Sequence, residues 1–356
     1  MSTAADLRHG LLLNTQDPPA GAEIPQRWQE LVALAGVAEE AGFESVHLPE
    51  HHGRDDGFLP QPLVACAALA ARTSRIKIGT GITVAPLRHP VHLAEEAAVV
   101  DVLSGGRLVL ALGIGDHRPE YELFGLDIAT QAKRFDECLT VLLRGLTGER
   151  FSFEGAHYRF RDAAIRPVPV QRPRPDVWVG AMSRAGARRA ARFGLPLYLD
   201  PLNTVTGLEP LVAEYRAECE RHGHAGRVVL SRWGWVDEDG RVDEWWPHVR
   251  LALRAYLVDI PRTGAPGAAA SADDLDIGSV APDRLLVGTP AEVARTARDF
   301  ADRLGADRIV VKLQGASGPW GAPLERAVRL YGRSVISSGR PEARSPRSND
   351  DRSDRA

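Results

Sequence analysis

Residues 76–113 read IKIGTGITVAPLRHPVHLAEEAAVVDVLSGGRLVLALG. An apolar run rich in β-branched residues opens the stretch over 76–84, and a second closes it over 107–113. Between them 92–103 has the composition of a helix, stopped by Ser104-Gly105-Gly106. Apolar runs without polar alternation are strands buried on both faces, and a helix joining two of them makes a parallel βαβ unit. The same unit repeats outward in both directions. Upstream lie strands 10–14 and 45–48, with a helix between them whose Leu31, Leu34, Ala35, Ala38 and Ala41 keep helical spacing until Gly42 closes it. A further helix covers 62–71. Downstream come strands 177–180, 195–199, 228–236 and 308–313. The helix before the last strand starts with Thr289 as N-cap, Pro290 at N1 and Glu292 completing a capping box. Eight strands alternating with helices predict a (β/α)8 barrel, a TIM barrel in the α/β class, with insertions at the C-terminal face. Strand counting alone leaves a doubly wound open sheet as the alternative.

Two departures from the rhythm are expected. Phe151, Phe153, Tyr158 and Phe160 alternate ahead of RPVPVQRPRP, so a small hairpin and an extended connector precede the fifth strand. Segment 259–283 is rich in Ala, Gly, Pro and Asp, which predicts a mobile loop or lid. The barrel domain is assigned to 8–336, and the polar tail 337–356 is expected to be disordered.

Composition narrows the classes of function. The chain has 356 residues and a formal net charge of -3, which leaves no basic footprint for nucleic acid or an anionic membrane. No apolar run approaches the roughly 18 residues that would span a bilayer. Cys66, Cys138 and Cys219 stand far apart without a C-x-x-C pair, so they read as buried, inert thiols. The N-terminus lacks the build of a signal peptide, and a soluble, cytoplasmic protein is expected.

Barrel chemistry sits at the C-terminal ends of strands. Those positions hold Asn14, the run Glu50-His51-His52, residues 79–83, Asp116, His117, Ser183, Asp200, Arg232, Trp233 and Gln314. One histidine of the tandem pair is read as a general acid/base, because imidazole titrates near neutrality. A metal reading through His47, Glu50, His51 and His52 fails the usual ligand spacing. Gly113-Ile114-Gly115 begins like a dinucleotide fingerprint, but position 118 is Arg, so that reading is rejected. Ser183 precedes a helix over 184–193, where it could serve a phosphate or act as a plain N-cap. Trp233 and Trp235 share a face, as core or as a flat wall for an apolar substrate. Lys312 is the lysine nearest a strand mouth, the position an aldolase without flavin would require.

Several segments, in order, resemble the luciferase-like flavin monooxygenases: GLLLN, AEEAGFESVHLPEHH, RIKIGTGITVAPLRHP, DVLSGGRLVLALGIG, the helix toward ELFG, FEGAHYRFRDAAIRPVPVQRPRPDVWVGAMS, AARFGLP and VGTPAEV. The resemblance implies a barrel that binds reduced FMN, or in a sister branch the deazaflavin F420. It implies that His51 is catalytic, that Ser183 binds the flavin phosphate, and that a strand-three bulge at Gly81–Ile82, often a non-prolyl cis peptide, lies beneath the ring. Where the family has an arginine after the fourth strand this chain has Asp116, with Arg118 or Arg184 able to substitute. Asn14, His52, Trp233 and Gln314 are the expected substrate contacts. The implied reaction uses O2 and a C4a-(hydro)peroxyflavin to oxygenate a small organic substrate, with flavin reduced by a separate flavin reductase, in a homodimer. The alternatives are an F420-dependent oxidoreductase transferring hydride, or a non-catalytic flavin-binding partner subunit.

Overall fold

The computed structural model describes residues 7–254 and 275–339. Eight parallel strands form its centre: β1 (Arg8–Leu12), β2 (Ser45–Leu48), β3 (Lys77–Thr80), β4 (Leu108–Gly113), β5 (Asp176–Ala181), β6 (Leu197–Leu199), β7 (Val228–Val236) and β8 (Arg308–Lys312). Each pairs with its neighbour in sequence, and β1 pairs with β8 in the register Arg8↔Arg308, so the sheet closes. The open doubly wound alternative is thereby excluded.

Period-two alternation divides the strand residues between two layers. Leu12, Val109, Ala111, Trp178, Tyr198, Val229 and Val310 pack together inside the barrel. Leu11, Val46, Ile78, Leu110, Val179, Leu230 and Val311 belong to the larger core under the helices. The helices include Ile24–Glu40, Pro62–Arg72, Pro90–Leu103, Gln131–Gly145, Arg184–Arg192, Val205–Arg221 and Pro290–Leu304. The last starts as expected, with the Glu292 carboxylate accepting from both Thr289 N and Thr289 Oγ1 at 2.8 Å.

The third apolar run is interrupted. After Thr80 the Gly81–Ile82 peptide is cis, and the chain resumes as a short strand, Thr83–Val84, beside β4. The hairpin pairs Phe151–Glu154 with Arg159–Ala163 and lies on the outer wall, its turn held by the Glu137 carboxylate. Insertions do rise at the C-terminal face, after β4 and after β7. Most of the expected mobile loop 259–283, together with the tail beyond 339, lies outside the described residues. Its final part is packed: Leu275 and Val280 are buried, and the Asp283 carboxylate accepts from Thr206 N. Cys66, Cys138 and Cys219 are buried and free, and burial raises all three thiols.

Candidate active site at the barrel mouth

The loop after β2 carries the densest polar network. His51 Nδ1 is 2.7 Å from Glu120 Oε1, and the same oxygen accepts from His52 N at 3.2 Å. His117 Nδ1 lies 3.7 Å from it. Glu120 stands in the first turn of the short helix Arg118–Leu123, where a carboxylate also suits the helix N-terminus. Its side chain is only 2% exposed. Burial pushes this carboxyl upward, but the bonds from His51 and His52 N, with the charge of His51 and His117, outweigh it and hold the group below its ordinary range. An ionised Glu120 accepts, so His51 Nδ1 carries the proton and Nε2 is the nitrogen that can take or give one. The His51 side chain is 27% exposed and meets the Phe58 ring edge to face.

The second histidine is differently placed. His52 Nε2 bonds Glu50 Oε1 at 2.8 Å, and Arg88 donates to Glu50 Oε2 at 3.2 Å. His52 also packs edge-on against Phe124. It is tied to an inward ion pair rather than presented to the mouth. His47, on β2, is fully buried, with Nδ1 against Thr80 O and Nε2 against Ser45 Oγ. Among the described residues no group of His, Cys, Asp and Glu is arranged to hold a metal.

On the neighbouring strand, after β3, Ile82 is seated over two glycines. A Cβ on Gly113 or Gly180 would approach the Ile82 side chain to 2.6 or 2.9 Å. Val84, Leu87 and Tyr121 pack beside Ile82, and Tyr121 OH donates to Ile114 O at 2.5 Å, fixing the turn after β4. The buried Thr83 hydroxyl next to the cis peptide has no hydrogen-bond partner. Ser183 caps the helix Arg184–Arg192, its Oγ accepting from Gly186 N at 3.2 Å, and both Ser183 and Arg184 are exposed. Asp116 and Arg118 are exposed at the end of β4. On the β1, β7 and β8 side, Asn14, Trp233 and Gln314 are buried, and Asn14 N donates to Gln314 Oε1 at 3.1 Å. A cleft lined by Arg144, Glu149 and Arg174 lies at the opposite end of the barrel wall and has no part in this site.

Strand ends 3, 4 and 5 thus hold the expected cofactor residues, ends 1, 7 and 8 the expected substrate residues, and His51 stands on the loop after strand 2. Glu120, Glu50 and Arg88 complete the network, and no single-residue signal marked Glu120: in sequence it is one acid in a polar helical turn. The signal that existed was its place, three residues after His117 at a strand mouth.

A closed parallel barrel with a carboxylate-oriented histidine at its C-terminal mouth defines an enzyme-type (β/α)8 site. The luciferase-like monooxygenase model matches residues 8–308, and the chain belongs to that family. The oxygenase component of the flavin-dependent trigonelline monooxygenase of Acinetobacter baylyi is 29% identical over 225 residues, 61% of this chain and 62% of that protein. The first curated relatives are thus matched over about three fifths of their length, 61% and 62%. The crystal structure of the monooxygenase RslO1 from Streptomyces bottropensis superposes with a TM-score of 0.81 at 28% identity, covering 93% of this chain and 99% of that one. The coenzyme F420 dependent tetrahydromethanopterin reductase of Methanopyrus kandleri shares the fold, with a TM-score of 0.72 at 20% identity over 94% of this chain and 100% of that one. No helix among the described residues is long and apolar enough to cross a membrane.

Proposed function

We propose that the protein is an FMNH2-dependent monooxygenase acting on a small organic substrate at the barrel mouth. The observation that carries this reading is the His51–Glu120 pair, joined from the loops after β2 and β4, with the Ile82 platform after β3, the strand between them. The site residues fit a reduced flavin. Thr83 offers an unpaired hydroxyl beside the Gly81–Ile82 peptide, and Ile82 gives an apolar seat for a flat ring. The first N–H groups of the helix Arg184–Arg192, with Ser183, Arg184 and Arg118, would hold the phosphate. Asp116 would bear on the same end of the cofactor. When bound, reduced FMN supplies two electrons to O2, so that one oxygen atom enters the substrate and the other leaves as water.

The chain's own residues perform the rest. His51 Nε2 holds or moves the proton at the reacting face, while Glu120 fixes the ring. Glu50, Arg88 and His52 brace the loop that carries His51. Asn14, Trp233 and Gln314 would line the substrate side. A separate flavin reductase is expected, since the Acinetobacter relative is named as an oxygenase component and residues 113–118 lack a full dinucleotide fingerprint.

The test is an anaerobic titration with reduced FMN and, separately, reduced F420, followed by an oxygen pulse. Micromolar or tighter binding of reduced FMN, and reoxidation kinetics that His51→Ala alters, support the reading. Tight binding of reduced F420 with none of reduced FMN overturns it in favour of hydride transfer. Binding of FMN without turnover on any substrate screened would make the chain a binding subunit.

A further inference from the structure

The inner face of β8 runs Arg308, Val310, Lys312, and its continuation brings Gln314 to the same side. Arg308, at the strand start, is answered by the Glu44 carboxylate. Lys312, at the strand end, is not. It is 7% exposed and is one of only three lysines in the chain. Its ammonium lies 5.3 Å from the centroid of the Trp233 ring, its neighbour in register on β7. It has no hydrogen bond or ion pair among the described residues. Two further buried donors stand on the same two strand ends without an acceptor, Trp233 Nε1 and Gln314 Nε2. Gln314 Oε1 accepts from Asn14 N.

Three unpartnered donors, one of them a buried positive charge, therefore stand on these two strand ends. Burying an ammonium without a counter-ion is costly, and a ring face offsets only part of that cost. A set of this kind selects an oxygen-bearing anion, because a carboxylate accepts from several donors and returns the missing charge. The flavin platform at Ile82 belongs to β3, separated from β8 by β1 and β2, so the donors address the substrate side of the mouth.

We propose that Lys312, with Trp233 and Gln314, binds the carboxylate of a carboxylate-bearing substrate. The assignment deepens the monooxygenase reading and rests on it for the word substrate. Burial alone depresses the Lys312 amine, to about 8, so the anion site weakens as pH rises through that value. Other charged groups of the adjacent strands do not intervene. Arg232 on β7 faces outward over Phe300 with its NH1 on Asp200 O, the Asp200 carboxylate takes Leu202 N and Asn203, and Arg8 and His9 on β1 lie at the opposite end.

The experiment is calorimetric titration of the full chain with paired carboxylates and carboxamides of rising size: acetate and acetamide, benzoate and benzamide, 2-naphthoate and 2-naphthamide. At pH 7 at least one acid should bind ten-fold or more tightly than its amide. That preference should vanish in Lys312→Met and shrink in the wild type between pH 7 and 9.5. Lys312→Met fills the same space without a buried charge, so its thermal midpoint should equal or exceed the wild type. Absence of any acid–amide preference in the wild type overturns the proposal, as does its survival in Lys312→Met. A ten-fold loss of reduced-FMN affinity in Lys312→Met would also overturn it, since the lysine would then serve the cofactor. If the wild type binds acids selectively but no reduced FMN, the anion site stands and the flavin reading falls.

Discussion

Glu120 is the residue on which the active-site chemistry turns, because one carboxylate oxygen serves His51 Nδ1 and His52 N together. A partner of this kind fixes the tautomer and orientation of the ring, and removing it should cost about 10–100-fold in activity. Glu120→Gln keeps the shape and deletes the charge. It should lower oxygenated-product formation by about that factor and move the lower limb of the pH–rate profile to more acidic pH. His51→Ala, which removes the nitrogen proposed to handle the proton, should cost about 10²–10⁴-fold. Both are read as turnover against pH with a substrate found by screening. Wild-type turnover and an unmoved profile in Glu120→Gln would leave His51 without its orienting partner.

Strand and helix boundaries carry a second kind of information. Runs such as 108–113 and 228–236 were legible because a parallel barrel buries both faces of its strands, so apolar residues dominate them without strict alternation, Ser231 and Arg232 being the polar exceptions in the second. The run 76–84 reads as one strand, yet it is broken at Gly81–Ile82, since apolarity alone does not encode where pairing with β2 ends while pairing with β4 continues. The strand Leu286–Gly288, only three residues long, left no periodic signal, and the Glu120 network joins loops whose contacts are invisible in local sequence. Helix Ile24–Glu40 extends well ahead of Leu31, and its first turns contribute no buried residue to the apolar stripe. Two glycines in these elements make opposite predictions. A Cβ on Gly79 in β3 would lie 2.4 Å from Val109 O and 3.0 Å from His47 Nδ1, and a backbone oxygen in a closed sheet cannot swing aside. Gly79→Ala should destabilise by about 1–3 kcal/mol or more. Gly36, inside helix Ile24–Glu40, has nothing within 4 Å of the same position, so Gly36→Ala should stabilise by about 0.5–1 kcal/mol. Urea midpoints at unchanged slope would check both, and equal effects would deny the close approach at β3.

For the whole molecule, the two ends of β8 are built on opposite electrostatic terms, with the Arg308 charge answered at the N-terminal end and the Lys312 charge left open at the mouth. At the floor, Glu44 receives Arg308 at 2.6 and 2.9 Å and Lys77 at 3.1 Å, tying together the starts of β2, β3 and β8. Burial alone would raise this carboxyl, but Arg308 and Lys77 outweigh it and bring it down to about 2. Arg308→Met leaves the half-buried Glu44 carboxylate with Lys77 as its remaining close partner and should cost about 1–3 kcal/mol, most of it recovered when Glu44→Leu is added. The floor also holds two histidines that remain neutral: His9 is lowered to about 4 by burial and Arg298, and His47 to about 4 by burial and Arg308 against the Thr80 carbonyl. Unfolded, both would titrate near their ordinary 6.5. Between pH 6.5 and 4 the unfolded chain therefore binds protons that the folded chain refuses, and stability falls as pH is lowered, by about 1.4 kcal/mol per pH unit for each histidine. Glu44 extends the loss below about pH 4.5, as its partnered carboxylate must also be protonated. Urea denaturation at pH 7, 6 and 5 should show the midpoint dropping steadily, with the slope reduced by about half in His9→Gln. A midpoint that stays level from pH 7 to 5 would mean that these rings are already charged or solvated in the native barrel, and the neutral floor would have to be given up.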